Sequence, residues 1–365
     1  MQHVRLGAAG PVTSRLGLGC LWRSDGFDRS AAGAAAGVTK LINRALDGGV
    51  TLLDVPDPAR DGLGPRLVGR AVAARRAEVL IAAHSWPASE RAKDVAAECD
   101  RILRQLATDH LDLYYLHPPA GPARAAIPVE ERIGPLTQLV AAGKIRHLGV
   151  YGAGPAELAR AHAAHPVTAL AVEYSMAARQ AEEDLLPLAR KLGIGVVACR
   201  PLGGGLLTGR CSGAADPTGA VGPTGPPAER SRLIRGLRAV AADLDVGVSR
   251  LALAWLLSRG DVVPVPNTAN PVHLEMNLRS LEVGLPPDVE ERLAALLDDT
   301  DGDGDADVES QSGTGARATG TGTGTGTKAD TDADSLDRPP EGPPDGLPDL
   351  LPPRPSRRRR APHQS

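Results

Sequence analysis

Several short apolar runs of this sequence end in side chains that transfer protons or hold anions. Asp54 follows the run "TLL", and His84 and His117 close the runs "EVLIAAH" and "HLDLYYLH". Carboxylates and imidazoles are common general acids and bases, and histidine titrates closest to neutral pH. Phenol and guanidinium groups close three further runs, where they can donate hydrogen bonds. These are Tyr151, Tyr174 and Arg200.

The apolar runs alternate with longer Ala-, Arg- and Leu-rich stretches that have helical periodicity. Predicted strands cover residues 16–20, 51–55, 78–84, 110–117, 145–151, 169–175, 195–201 and 262–266. Predicted helices cover 30–47, 64–75, 89–106, 129–143, 154–163, 182–192, 229–258, 271–280 and 287–298. Continuous apolar strands are typical of a parallel sheet covered on both faces.

Eight strands, each followed by a helix, predict an α/β fold of the (β/α)8 TIM-barrel type. The segment "RLGAAGPVTSR" before the first strand predicts a short N-terminal hairpin at the bottom of the barrel. An open doubly wound sheet is the alternative, but no G-x-G-x-x-G follows the first strand. Because barrel enzymes carry their chemistry at the carboxyl ends of the strands, the polar side chains above are expected around one mouth.

The order of several motifs resembles that of the aldo-keto reductases over residues 3–297. The motifs are "SRLGLGC", "GVTLLDV", "LDLYYLH", "AAGKIRHLGV", "VEYS", "RPLGGGLLTGR", "LALAWLLSRG", "VPVPNT" and "HLEMNL". The resemblance implies a TIM barrel that binds NADPH across its carboxyl-terminal mouth. It also implies hydride transfer to aldehydes and ketones, with a tyrosine as general acid assisted by a lysine, an aspartate and a histidine.

Two of those four family positions are kept and two are replaced. Asp54 and His117 stand where the family has its aspartate and histidine. Ala59 stands at the position of the tyrosine, and His84 at that of the lysine. Positioned general acids contribute about 10²- to 10⁴-fold to rates, so the resemblance implies weak, altered or absent carbonyl reduction.

Three interpretations of Asp54, His84 and His117 remain open, because family geometry implies that they lie together. His84 can replace the lysine in a structural ion pair with Asp54. Asp54 can orient His84 so that the two histidines act as an acid–base pair. The trio also matches the two-histidine, one-carboxylate pattern of a metal site.

The resemblance implies a cofactor site with several departures from the family pattern. Tyr174 would stack on the nicotinamide, and the backbone of Pro201, Leu202 and Gly203 would contact the pyrophosphate, with Thr268 and Asn277 at the adenosine end. The departures are Ala171, Ala269, Asn270 and Met276. In the substrate pocket, Tyr151 is a relocated donor or a packing residue, and Arg200 binds an anion or pairs with a carboxylate.

Residues 298–365 differ in composition from the barrel region 1–297. They contain 19 Gly and Pro residues, no aromatic residue and a net charge of −6. Such a segment cannot bury enough apolar surface to fold, so we expect a disordered tail that ends in the basic cluster "RPSRRRR". The barrel then carries +3, because the whole chain carries −3.

The composition excludes several classes of protein. A nearly neutral barrel lacks the basic face of a nucleic-acid binder. The four cysteines form no C-x-x-C pair, and we expect neither a leader nor a membrane-spanning segment, because the sequence shows no apolar run of the kind that either would need. We expect a cytoplasmic protein with a small carbonyl compound as partner if it is active, and with no membrane or nucleic-acid partner for the barrel.

Three functions are consistent with these patterns. The first is a nicotinamide-dependent oxidoreductase with slow or altered chemistry. The second is a non-catalytic pseudoenzyme that binds a ligand, and the third is a barrel recruited to histidine- or metal-assisted chemistry. Cofactor affinity separates the first from the other two.

Overall fold

The computed structural model describes residues 1–21, 31–56, 63–84, 92–117, 128–209 and 227–301. The chain divides into two units, residues 1–309 and 310–365, and every described residue belongs to the first. From residue 302 onward the predicted disordered tail lies outside the described residues. The predicted boundary at 297/298 falls inside the last helix, which ends at Asp301.

A short antiparallel hairpin precedes the barrel. Its strands are β1 (His3–Arg5) and β2 (Val12–Ser14). The amide of Ala8 donates to the carbonyl oxygen of Gly193 at 2.7 Å, just before a barrel strand begins. Leu6 packs into the barrel interior. The hairpin therefore covers the amino ends of the strands, and the prediction of a bottom hairpin is confirmed.

Eight parallel strands form one sheet in which each strand pairs with its neighbour in the chain. The amides of Gly17 and Gly19 donate at 3.0 Å to the carbonyl oxygens of Pro264 and Pro266, which joins the first strand to the end of the last. The sheet thus closes as the predicted TIM barrel. The strands are β3 (Leu18–Gly19), β4 (Leu52–Pro56), β5 (Leu80–His84), β6 (Leu111–Leu116), β7 (Ile145–Tyr151), β8 (Ala169–Glu173), β9 (Gly195–Cys199) and β10 (Val262–Pro264).

Helices cover the outside of the barrel. They are α1 (Ala31–Asp47), α2 (Leu63–Val72), α3 (Ala92–Leu106), α4 (Val129–Ala141), α5 (Pro155–Ala164), α6 (Leu185–Leu192), α7 (Pro227–Asp243), α8 (Val248–Ser258), α9 (Pro271–Leu278) and α10 (Pro287–Asp301). The single helix predicted over 229–258 is wrong, because α7 ends at Asp243 and α8 starts at Val248. Asp245 has a left-handed φ of 51°, which breaks the helix at this turn.

The strand side chains alternate between two apolar clusters. Tyr115 belongs to the cluster inside the barrel, whereas its neighbour Tyr114 belongs to the layer between strands and helices. This division follows from the two-residue period of a strand. Within the described residues, no helix is long and apolar enough to cross a membrane.

Candidate functional site

The two-residue period brings the predicted catalytic side chains to one place. Leu52, Ala82 and Tyr115 point into the barrel interior from three neighbouring strands. The residue two positions later on each strand points the same way, at the carboxyl end of the barrel. These residues are Asp54, His84 and His117.

The three side chains form a short buried chain of contacts. Nδ1 of His84 lies 2.5 Å from Nε2 of His117, within hydrogen-bond distance. On its other side, Nε2 of His84 lies 3.5 Å from Oδ1 of Asp54. The imidazole centroids are 4.7 Å apart, and the two ring planes are within 10° of parallel. His84 therefore stands between the carboxylate and the second imidazole.

Tyr151, at the end of β7, covers both imidazoles. Its ring centroid lies 4.4 Å from that of His117 and 5.4 Å from that of His84, and the planes are within about 21° of parallel. Burial raises the pKa of the Tyr151 phenol, and the negative charge of Asp54 acts in the same direction. The phenol is therefore a weaker acid here than in water.

Burial also controls the protonation of His117. Loss of hydration lowers the pKa of its imidazole to about 2, and repulsion from His84 and Arg132 adds to that effect. His117 is consequently neutral at physiological pH. The contact between His84 Nδ1 and His117 Nε2 is a hydrogen bond in which the tautomer of each ring decides which nitrogen donates.

Two buried oxygen atoms beside the histidines receive no hydrogen bond from the described part of the chain. They are Oδ1 of Asp54 and the hydroxyl of Tyr115. Buried polar atoms are usually paired, so an orphaned acceptor at a barrel mouth indicates room for a water molecule or a ligand donor. The Tyr115 ring meets the edge of His84 at 5.8 Å, and burial raises the pKa of its phenol.

The cysteines at the strand ends are not nucleophiles. Cys20 and Cys199 are buried, and burial raises the pKa of each thiol, with the nearby charge of Asp54 as a second cause. A thiolate is the reactive form of cysteine. Both side chains therefore act as small apolar groups in the wall of the site.

Arg132 is a residue of the site that sequence reasoning missed. It lies in the first turn of α4, is only 1% exposed, and donates from Nη2 to the backbone carbonyl oxygen of His117. Its Nη1 donates to Oε1 of Glu157 on α5 at 2.7 Å. A single arginine in a helical pattern normally indicates a solvated side chain, so no signal in the sequence marks this burial.

Arg200 stands at the mouth, immediately after β9. Its Nε donates to Oε1 of Glu173 at 3.2 Å, so it pairs with a local carboxylate. Its φ of 49° is left-handed, which is uncommon for a residue with a side chain. A Cβ at Gly204 would collide with the Arg200 guanidinium, so the glycine makes room for this conformation.

The backbone after Arg200 forms an exposed glycine turn. Pro201, Leu202 and Gly203 enter a 3₁₀ turn over Gly203–Thr208. Gly204 and Gly205 are exposed and have left-handed φ values of 62° and 100°. Within the turn, the amides of Gly203 and Gly205 donate to the carbonyl oxygens of Arg200 and Leu202 at 2.8 and 3.1 Å, so these two amides are already used.

At the predicted adenosine end, the polar groups are partly used within the chain. The hydroxyl of Thr268 accepts from the amide of Asn270 at 3.0 Å, and the Asn270 side chain accepts from the amide of Val272 at 2.9 Å. Asn270 thereby caps α9 at the place where a phosphate would approach the helix. Asn277 is buried on the same helix, and Met276 is exposed.

Tyr174 is not at the mouth. It is 1% exposed and packs at 5.5 Å from the ring of Trp255 on α8, within the layer between strands and helices. Its hydroxyl donates to Oε1 of Glu182 at 2.5 Å. Ala171 faces the barrel interior and is fully buried. The stacking role predicted for Tyr174 stays a prediction, and this placement does not favour it.

Two more predictions concern the mouth: the replacement of the family's tyrosine at Ala59, and a metal site formed by Asp54, His84 and His117. Ala59 lies outside the described residues. Among the residues that are described, no group of three or more His, Cys, Asp or Glu side chains is arranged to hold a metal ion.

Comparison with known proteins agrees with this architecture. The profile of the "Aldo/keto reductase family" matches residues 16–298, which is most of the chain. The chain belongs to the aldo/keto reductase family. A soybean (Glycine max) relative, "Probable aldo-keto reductase 1", is 32% identical over 302 residues and covers 78% of this aldo/keto reductase and 86% of its own length.

Solved structures share the fold of this aldo/keto reductase. A thermostable aldo-keto reductase in complex with the inhibitor epalrestat is 27% identical with a TM-score of 0.67, covering 81% of this chain and all of its own. An aldo/keto reductase from Klebsiella pneumoniae, solved with NADP and acetate, is 24% identical with a TM-score of 0.65. That match covers 80% of this chain and 96% of the Klebsiella protein, and it supports the fold alone.

Proposed function

We propose that this aldo/keto reductase is an NADPH-dependent oxidoreductase that reduces a small carbonyl compound with a histidine pair as its proton source. The observation that carries the proposal is the 2.5 Å contact between His84 Nδ1 and His117 Nε2, with Asp54 behind His84 at 3.5 Å. This row of groups stands where the family's aspartate, lysine and histidine are expected. It replaces the expected tyrosine–lysine donor by a proton relay.

Arg200 is the charged group that would meet the middle of NADPH. Its guanidinium lies against Gly204, and its Nε donates to Glu173. The amides of Gly203 and Gly205 already donate within the chain, so the pyrophosphate would rely on the guanidinium and on the remaining amides of the turn. The other ends of the cofactor would rely on fewer contacts, because Tyr174 is buried and Asn270 already caps α9. We therefore expect weaker cofactor binding than a complete family site would give.

The relay keeps His117 neutral throughout. NADPH, when bound, supplies the hydride to the carbonyl carbon. His117 passes its Nδ1 proton to the carbonyl oxygen and receives at Nε2 the proton held on His84 Nδ1. In this relay His84 begins with a proton on each ring nitrogen and ends neutral, and Asp54 supplies the opposite charge, with its Oδ1 3.5 Å from Nε2. A neutral imidazole that acts on a carbonyl oxygen has precedent in triosephosphate isomerase.

The first test is a calorimetric titration of the full chain with NADPH and then NADH, followed by reduction of a panel of aldehydes and ketones. Binding in the low micromolar range, worth about 8 kcal/mol, is expected for NADPH. His84→Gln and His117→Gln are each expected to lower kcat by about 10²- to 10⁴-fold without changing the cofactor Kd. His165→Gln, at the end of α5 and close to the start of β8, is the matched control.

Two results would contradict the proposal. Absence of binding at millimolar NADPH and NADH would exclude hydride transfer from a nicotinamide. Turnover that is unchanged in both histidine variants would show that the proton comes from another group.

A non-catalytic binding protein is the second candidate, and a specific observation favours it. His84 and His117 are only 4% and 6% exposed, and the Tyr151 ring covers both. A carbonyl group needs access to a donor within about 3.2 Å. Cofactor binding without turnover of any carbonyl compound in the panel would support this pseudoenzyme function. The cytoplasmic location stays a prediction, to be checked by cell fractionation.

A further inference from the structure

Arg132 occupies an unfavourable position for a charged side chain. Its side chain is 1% exposed, between α4, α5 and the end of β6. Burying a guanidinium costs several kcal/mol unless hydrogen bonds and an opposite charge compensate. An apolar residue of similar volume would often stabilise the same place equally well. A buried Arg132 therefore needs compensating partners, and the groups that it binds indicate its role.

The contact that Arg132 makes is with the backbone of His117. The ladder between β6 and β7 ends with the pairing of Leu116 and Val150, so His117 lies one residue beyond the sheet. Its carbonyl oxygen accepts from Nη2 of Arg132 instead of from a neighbouring strand. The other half of the guanidinium is fixed by Glu157 at 2.7 Å. The guanidinium of Arg132 thus links the end of β6 to α4, which carries it, and to α5, which carries Glu157.

We propose that Arg132, supported by Glu157, is a positioning residue that fixes the backbone of His117 and so holds its imidazole against His84. A shift of the His117 backbone would change the 2.5 Å contact between the two rings, which depends on both backbone positions. The positive charge of Arg132 also lowers the pKa of His117, as the smallest of three causes after burial and His84. The effect of Arg132 on the reaction rate rests on the proposed function, whereas its effect on the contact between the two imidazoles does not.

Arg160 provides a matched control on the same pair of helices. Its guanidinium on α5 pairs with Glu130 on α4 at 2.6 Å, with both side chains largely exposed. This ion pair joins the same two helices as Arg132 and Glu157, and Arg160 also interacts with the charge of Glu157. Arg132→Met is expected to fold, because Glu157 is 30% exposed and can remain hydrated without its partner.

The experiment is proton and nitrogen NMR of the full chain labelled at histidine, without cofactor. The wild-type protein is expected to show a strongly downfield imidazole proton shared by His84 and His117, identified by its loss in His84→Gln. In Arg132→Met this proton is expected to exchange with solvent about tenfold faster or more, as for loss of a buried hydrogen bond to a charged group. Arg160→Met should leave the exchange rate at the wild-type value.

The exchange rate of the same imidazole proton is also measured in Arg132→Lys and Glu157→Gln. These two variants keep the test valid if Arg132→Met does not fold. Partial recovery in Arg132→Lys and faster exchange in Glu157→Gln are expected, because each weakens one branch of the fork. Exchange at the wild-type rate in Arg132→Met, or an equal change in Arg160→Met, would overturn the inference. Faster exchange in Arg132→Met together with no turnover of carbonyl compounds would leave the inference standing and reject the proposed reaction alone.

Discussion

His117 shows how strongly its surroundings change the chemistry of a single side chain. An imidazole in water is protonated below pH 6.5, whereas burial keeps that of His117 neutral down to about pH 2. Burial is the largest cause, and the charges of His84 from β5 and Arg132 from α4 also oppose a proton on His117. The folded state must therefore exclude a proton that the unfolded chain accepts.

We predict that this exclusion makes stability depend on pH. Because the folded-state pKa of His117 is lowered, its contribution is present above pH 6.5 and is lost as the pH falls. Between pH 7.5 and 5.5 it should reduce the free energy of unfolding by about 1.4 kcal/mol. Urea denaturation of the wild-type protein and of His117→Asn at both pH values measures this loss. Equal pH dependence in the two proteins would show that His117 titrates normally.

At the level of the elements, close helix contacts depend on glycine. Gly69 on α2 lies against the carboxyl end of α3, where an added Cβ would collide with the carbonyl oxygen of Leu106. Gly134 on α4 has open space around the same position. Both residues are inside helices, where glycine costs conformational entropy relative to alanine.

Alanine at these two positions is expected to have unequal effects. Gly69→Ala should lower the free energy of unfolding by about 1–3 kcal/mol, because α2 and α3 must move apart. Gly134→Ala should change it by less than about 1 kcal/mol, because the gain in unfolded-chain entropy is offset by the contact of the new Cβ with the ring of Pro135. Chemical denaturation of both variants measures the difference. A stabilised Gly69→Ala protein would contradict the close packing of α2 on α3.

At the level of the whole molecule, the described part of the barrel ends with α10, and the predicted boundary at 297/298 lies in the last turn of this helix. Leu293 and Leu297 of this helix are buried, and Asp298 pairs with Arg179 at 3.4 Å. An added Cβ at Gly236 on α7 would collide with the side chain of Leu296, so α7 and α10 are in close contact. The family match also extends to residue 298.

Truncations on either side of this helix are expected to differ sharply. A chain that ends at Asp301 should keep the Tm of the full protein within about 1–2 °C, because the removed segment has a composition unable to build a core. A chain that ends at Glu291 loses Leu293 and Leu297 and should lose about 2–5 kcal/mol for each buried leucine. Thermal unfolding of both proteins tests this. A large loss of Tm in the first truncation would mean that residues 302–365 pack on the barrel.

Much of the fold and part of the site can be predicted from local patterns. Apolar runs of about five to seven residues locate the strands, and their alternation with helices predicts the barrel. Because strand side chains alternate with a period of two, the strand positions alone place Asp54, His84 and His117 at one mouth. The same patterns predict one helix over 229–258, because its apolar spacing continues through the turn at Asp245.

The sequence by itself determined the family and the barrel, because these depend on residue types at fixed spacings, whereas the replacement of two catalytic residues stays a prediction. Only the tertiary structure decided which side chains meet. It placed Arg132 under the backbone of His117, Tyr151 over both imidazoles, and Tyr174 away from the mouth. Such contacts join elements that are distant in the chain. They depend on side-chain direction and packing, which no local pattern of residues encodes.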